Sequence, residues 1–133
     1  MDIPEIPEYA LEYLLSYDGR VHLLASGHYL KFEVRRIEVS ERVPHGIGYS
    51  LTLHSPDGQR LIGFDNAHPV PHRGSRYVAA PQASDHWHRT IDDEGRPYMF
   101  STVEQLLDDF FDEVERVLGD AGVAFDVIEE KER

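Results

Sequence analysis

Hydrophobic and polar positions alternate strictly through the middle of this chain. Ile47, Tyr49, Leu51 and Leu53 interleave with Gly48, Ser50, Thr52 and His54, the period of two that marks a strand with one buried face. Ser55-Pro56-Asp57-Gly58 is turn chemistry, and Arg60 to Asn66 runs back from it, so a hairpin is expected. Upstream, Leu30, Phe32 and Val34 alternate with Lys31, Glu33 and Arg35. The phase then moves to Ile37 and Val39, which predicts a bulge near Arg35–Arg36. Gly19 to Ala25 reads as a preceding strand, joined through Ser26-Gly27.

Near Thr102 the period changes. Val103, Leu106, Leu107, Phe110, Phe111, Val114, Val117 and Leu118 form a broad helical stripe. Ser101 with Glu104 makes a capping-box pattern, and Gly119 is the expected stop. Glu104, Asp108, Asp109, Asp112, Glu113 and Glu115 line the opposite face, with Arg116 placed to pair with Asp112. Residues 7–17 fit a short helix with Pro7 in its first turn. The tail after Phe125 reads as a last short strand or a frayed end.

The expected fold is α+β: an antiparallel meander of about four strands packed against the C-terminal amphipathic helix, since a sheet needs a cover for its apolar face. One domain of 133 residues accommodates an N-terminal segment (1–18), strands (19–66), a His-rich loop region (67–97), the helix (101–119) and a tail (120–133).

Composition narrows the function classes. The chain has no cysteine, which excludes disulfides, thiol catalysis and Cys-based zinc sites and fits a cytoplasmic setting. The N-terminus is acidic and proline-bearing, so no signal peptide is expected, and no apolar run suggests a membrane partner. The net charge of −12 would repel a polyanion. That charge is concentrated at the ends. Residues 1–18 carry five acids and no base, and residues 101–133 carry eleven acids against three bases. The middle is close to neutral.

Within that middle lie His68, His72, His86 and His88, beside Asp65, Asp85, Arg73, Arg76 and Arg89. Histidine changes charge near neutral pH, so such a window points to acid–base chemistry or metal binding. On an extended segment, the i, i+2 spacing of His86 and His88 puts both imidazoles on one face and Trp87 on the other. Cleavage of RNA by its own 2′-hydroxyl needs a base, an acid and cations against the phosphate. Asp85, His86, His88 and Arg89 are of the right types, with His68, Arg73 and Arg76 as further candidates and Trp87 or Tyr77 to stack on a base. A metal is the rival chemistry, held by His86 and His88 with His68, His72 or Asp65, although no tight ligand spacing such as H-E-x-x-H is present. The plain structural alternative is that these side chains pin a long loop by hydrogen bonds to backbone. Asp65 and Asn66 are either turn residues or the groups that orient an imidazole. His22, His28, His45 and His54 are dispersed and read as incidental.

Four blocks in order carry a resemblance: Phe64-Asp65-Asn66-Ala67-His68, Asp85-His86-Trp87-His88-Arg89, Gly95-Arg96-Pro97-Tyr98-Met99-Phe100, and Leu106 through Glu115. Over roughly residues 28–118 the chain resembles the TumE-like family, the toxin component of bacterial type II toxin–antitoxin modules. The resemblance implies a cytoplasmic toxin, neutralised by a helix-turn-helix antitoxin, and makes a ribonuclease acting against translation the usual expectation.

Combined with the side-chain chemistry, this leads to an expected metal-independent endoribonuclease toxin with no cofactor. His86 and His88 are its acid–base pair, Asp85 or Asp65 orients one of them, and Arg89 holds phosphate. The acidic helix face is expected to meet a basic antitoxin surface, and a homodimer stays open. A non-catalytic protein-interaction or regulatory subunit, and a metal-dependent hydrolase, are the rival readings.

Overall fold

A computed structural model describes residues 6–40, 45–66, 85–91 and 95–132. Among the described residues, two helices, α1 (Glu8–Leu15) and α2 (Val103–Asp120), accompany seven strands: β1 (Arg20–Leu24), β2 (Tyr29–Arg36), β3 (Ile47–His54), β4 (Arg60–Asp65), β5 (His86–His88), β6 (Arg96–Pro97) and β7 (Val127–Glu132). The strands form one antiparallel sheet in the order β6-β5-β4-β3-β2-β1-β7. The α+β class holds, and the four expected strands are β1 to β4. Three more extend the sheet at both edges.

Alternation determines which side chains meet. Leu30, Phe32 and Val34 on β2 stand opposite Leu53, Leu51 and Tyr49 on β3, and Leu51 and Leu53 stand opposite Phe64 and Ile62 on β4. This face is buried beneath Ala10 and Leu14 of α1 and Val103, Leu106, Leu107, Phe110, Val114 and Leu118 of α2. Burying such a set is the main favourable contribution to folding, roughly 25 cal/mol for each Å² of apolar surface withdrawn from water.

Helix α2 also solves a connection problem. The chain leaves β6 at one edge of the sheet and must enter β7 at the other. Six interstrand gaps span about 29 Å, and an 18-residue helix spans about 27 Å. The covering helix is therefore long enough to be the crossover as well.

Several local expectations are corrected. No bulge interrupts β2, which pairs without a break from Tyr29↔His54 to Arg36↔Ile47. The strand ends at Arg36, so Ile37 and Val39 belong to the connection that follows. Register shifts occur instead at Leu23/Leu24 and Leu53/His54. Thr102 rather than Ser101 caps α2, its side chain accepting from the Gln105 N–H at 3.0 Å. Gly119 lies inside the helix. The stop is Gly122 at φ +70, where the Val123 N–H reaches back to the Leu118 carbonyl at 2.8 Å. Arg116 pairs with Glu113 at 2.7 Å and Asp120 at 3.8 Å rather than with Asp112. The expected loop region 67–97 contains both β5 and β6, and residues 67–84 lie outside the described residues.

Candidate functional site

Strand β5 is three residues long, and its pairing with β4 places the candidate chemistry. Phe64 stands opposite Trp87 and Asp65 opposite His86, while Gly63 puts no side chain across from His88. Trp87 shares the helix-covered face with Phe64. Asp65, His86 and His88 share the opposite face of the sheet.

There the two imidazoles converge on one carboxylate. His86 Nε2 lies 3.0 Å from Asp65 Oδ1, and His88 Nε2 lies 3.5 Å from Asp65 Oδ2. The first is a directly opposed cross-strand pair and the second a diagonal one, the two geometries through which neighbouring strands exchange side-chain contacts. The rings sit 5.0 Å apart at 80°. His86 is 4% exposed and His88 7%, so their polar atoms need partners inside the protein, and Asp65 faces the Nε2 of each. Gly95 closes against both rings. At φ +125, a Cβ there would come within 3.1 Å of His86 Cδ2 and 3.2 Å of His88 Cε1. Only glycine combines that backbone with that contact.

Asp85 lies elsewhere. One residue before His86, it faces the helices, and its carboxylate is 2.9 and 3.0 Å from His45 Nε2 and accepts from the Tyr49 hydroxyl at 2.6 Å. The Ile47 N–H donates to His45 Nδ1 at 3.2 Å. An accepting Nδ1 assigns the proton to Nε2, which donates to Asp85. Burial, and secondarily the Asp85 charge, push the Tyr49 hydroxyl well above the ordinary phenol range, so it stays protonated and donates. Phe100 packs on the His45 ring at 4.3 Å.

The expectation that Asp85 orients His86 or His88 is thus corrected: Asp65 contacts both, and Asp85 serves His45. Reading His45 as incidental is corrected too. Asn66 ties strands together. Its Oδ1 accepts from the Tyr49 N–H at 2.9 Å and its amide donates to the Ile47 carbonyl, tying the end of β4 to β3.

Trp87 is stacked on Phe64, with centroids 5.4 Å apart and an interplanar angle of 16°, and the Arg96 guanidinium lies 5.5 Å from its ring centre. A base stacked on this indole would lie across the sheet from His86 and His88. Trp87 lines a cleft of about 270 Å³ with Phe64, Tyr98, Asp109, Asp112 and Glu113. The Tyr98 hydroxyl donates to Asp109 Oδ2 at 2.6 Å, and burial together with that bond raises its pKa. Arg89 follows β5 in a bend, exposed, with its carbonyl accepting from Arg116 Nη2 at 3.1 Å. His68, His72, Arg73, Arg76 and Tyr77 lie outside the described residues.

The spacing of His86 and His88 was legible as a one-faced pair. The Asp85–His45–Tyr49 network was missed. A buried tyrosine in a strand needs an acceptor for its hydroxyl, and that need at Tyr49 was the available signal, although it does not say which carboxylate 36 residues away would meet it. Among the described residues, Asp65, His86 and His88 are the one group of three or more His, Asp or Glu side chains with ligand atoms all within 4.8 Å of one another. Chemically, the group can exchange protons or hold a cation.

A family model described as Toxin TumE matches residues 5–118. Comparison with curated proteins and with solved structures finds no match.

Proposed function

Because this chain belongs to the TumE toxin family, we propose that it arrests translation by cleaving RNA, with Asp65, His86 and His88 as the reacting group. The observation that carries the reading is the convergence of two buried imidazoles on one carboxylate, on the sheet face opposite the helices. RNA carries its own nucleophile. Cleavage needs the 2′-hydroxyl proton removed and the departing 5′-oxygen protonated, and a pair of imidazoles supplies both functions. Asp65 fixes the direction of both rings, and Gly95 holds them together. Arg89, at the end of β5, is assigned to phosphate.

The toxin's partner in this reading is a helix-turn-helix antitoxin with a basic surface. Glu104, Asp108, Asp112 and Glu115 are exposed on α2, and the neighbouring cleft joins an aromatic floor to carboxylates, a setting suited to a lysine or arginine side chain.

The test is induced expression of wild type and the His86→Ala/His88→Ala variant, scoring growth and RNA integrity together, with purified protein on total RNA as the second arm. Growth arrest with fragmented RNA in the wild type, and at least about a hundredfold slower cleavage in the variant, is expected. Growth arrest with intact RNA would overturn the nuclease reading.

A further inference from the structure

We infer that Asp65, His86 and His88 form a binding site for one divalent transition-metal ion of the zinc class. The inference concerns the same three residues as the nuclease reading, and its measurement contains no RNA, so either can fail without the other.

The first argument is geometric. Ligand atoms at about 2.1 Å from a common ion stand about 3.0 to 3.4 Å from one another, depending on whether the arrangement is octahedral or tetrahedral. The two Asp65 contacts, 3.0 Å to Oδ1 and 3.5 Å to Oδ2, lie at and just above that spacing, one at each carboxylate oxygen. Both histidines turn the same atom, Nε2, toward the carboxylate, and all three ligand positions fall within 4.8 Å.

The donor set selects the ion. Two imidazoles and a carboxylate suit zinc, cobalt or iron, whereas magnesium and calcium prefer oxygen ligands throughout. Among the described residues the site supplies three protein ligands, the number typical of catalytic metal sites.

The site is held in place before any ion arrives. Asp65 and His86 are locked by the β4–β5 register, and the Gly95 backbone closes against both rings. The other buried histidine–carboxylate pair is different. His45 spends Nδ1 on the Ile47 N–H and Nε2 on Asp85, and Tyr49 donates to the same carboxylate. Among the described residues, no third His, Asp or Glu ligand converges there.

Charge supplies a separate argument. A protein of net charge −12 repels the phosphate backbone it is proposed to cut. A divalent ion on these three ligands would add a local positive charge that offsets part of this repulsion. With both Nε2 atoms on the ion, neither could serve at that atom as the acid or base of the nuclease reading, and an ion-held water would take that part; this departs from the expectation of a metal-free acid–base pair.

The experiment strips the full chain with chelator and dialyses it. It then titrates Co²⁺, reading visible d–d absorption alongside bound metal per chain by elemental analysis, with Mg²⁺ as competitor. Expected is one Co²⁺ per chain, displaced by Zn²⁺ and unaffected by Mg²⁺. Affinity should fall by at least about tenfold in His88→Ala and in Asp65→Ala, and should be unchanged in a His22→Ala/His54→Ala control that tests for adventitious histidine binding. Thermal unfolding checks that each variant is folded. Should the site variants fail to fold, X-ray absorption on the zinc-loaded wild type reads the ligands directly, and two imidazoles with carboxylate oxygen are expected. Absence of stoichiometric uptake by folded wild type, equal uptake after loss of His88 or Asp65, or a zinc spectrum without imidazole scattering would overturn the inference.

Discussion

At the scale of single residues, the chain treats its histidines in different ways. His86 and His88 find a carboxylate, His45 finds a carboxylate and a backbone N–H, and His22 finds neither. His22 lies on the helix side of β1, 4.8 Å from Phe32 and 7% exposed, and its Nε2 has no hydrogen-bond partner among the described residues. Glu130 on β7 is 3.7 Å away, too far for a hydrogen bond, and Arg20 on the same strand opposes a positive charge. Desolvation dominates, so the His22 pKa falls below its usual 6.5. The sign follows. Below pH 6.5 the unfolded chain takes up a proton that folded His22 resists, so stability present above that pH is lost as pH falls toward the lowered value. Replacing His22 with Leu should remove this part of the acid sensitivity. Urea unfolding of wild type and variant at a series of pH values should give curves whose separation in favour of the variant widens as pH falls below 6.5. A constant separation would show that His22 does not titrate on unfolding. The sequence showed the facing of His86 and His88, because strand alternation is local. It narrowed their partner to Asp85 or Asp65 without choosing, since the β4–β5 register makes that choice, and it could not show that His45 and Asp85, 40 residues apart, are hydrogen-bonded.

At the scale of elements, legibility followed length. Helix α2 offers a stripe with few interruptions over five turns, and β2 and β3 each alternate over eight residues, so periodicity located all three. Strands β5 and β6 have three and two residues. No period can register over so few positions; β5 exists because β4 offers it an edge, and β6 because β5 does in turn. The tail was ambiguous for a related reason: β7 is nearly all exposed and rich in glutamate, and it is a strand only because it lies against β1. The helix N-terminus was misplaced by one residue. Ser101 and Thr102 are both good caps in sequence, and the Thr102 oxygen is the one that meets the Gln105 N–H. Thr102→Ala should therefore cost about 1 kcal/mol, read by denaturant unfolding, while Ser101→Ala should cost no more than a few tenths. A larger loss for Ser101→Ala would place the cap where the capping-box pattern first put it.

At the scale of the whole molecule, the two faces of the sheet carry different chemistry. The helices cover one face and turn their carboxylates outward, whereas the proposed reacting group lies on the other. Strand β5 belongs to both: Trp87 lines the acidic cleft beside α2, and His86 and His88 stand directly behind it. A basic antitoxin segment docking along α2 would therefore touch the same three-residue strand that holds the imidazoles, without having to enter the reacting site. Reversing charge at Asp108 and Asp112, both exposed on α2, removes attraction where the partner is proposed to bind and leaves Asp65, His86 and His88 unaltered. The Asp108→Lys/Asp112→Lys protein should lose antitoxin affinity by about tenfold or more in low salt, with a smaller difference at 1 M salt, where the screening length shrinks to about 3 Å. Its action on RNA should stay within about twofold of wild type. Titration calorimetry against the purified antitoxin at two salt concentrations, run beside the RNA assay, separates the surfaces. Equal affinity for both proteins would move the antitoxin off α2, and a parallel loss of RNA cleavage would mean that the two faces do not act independently.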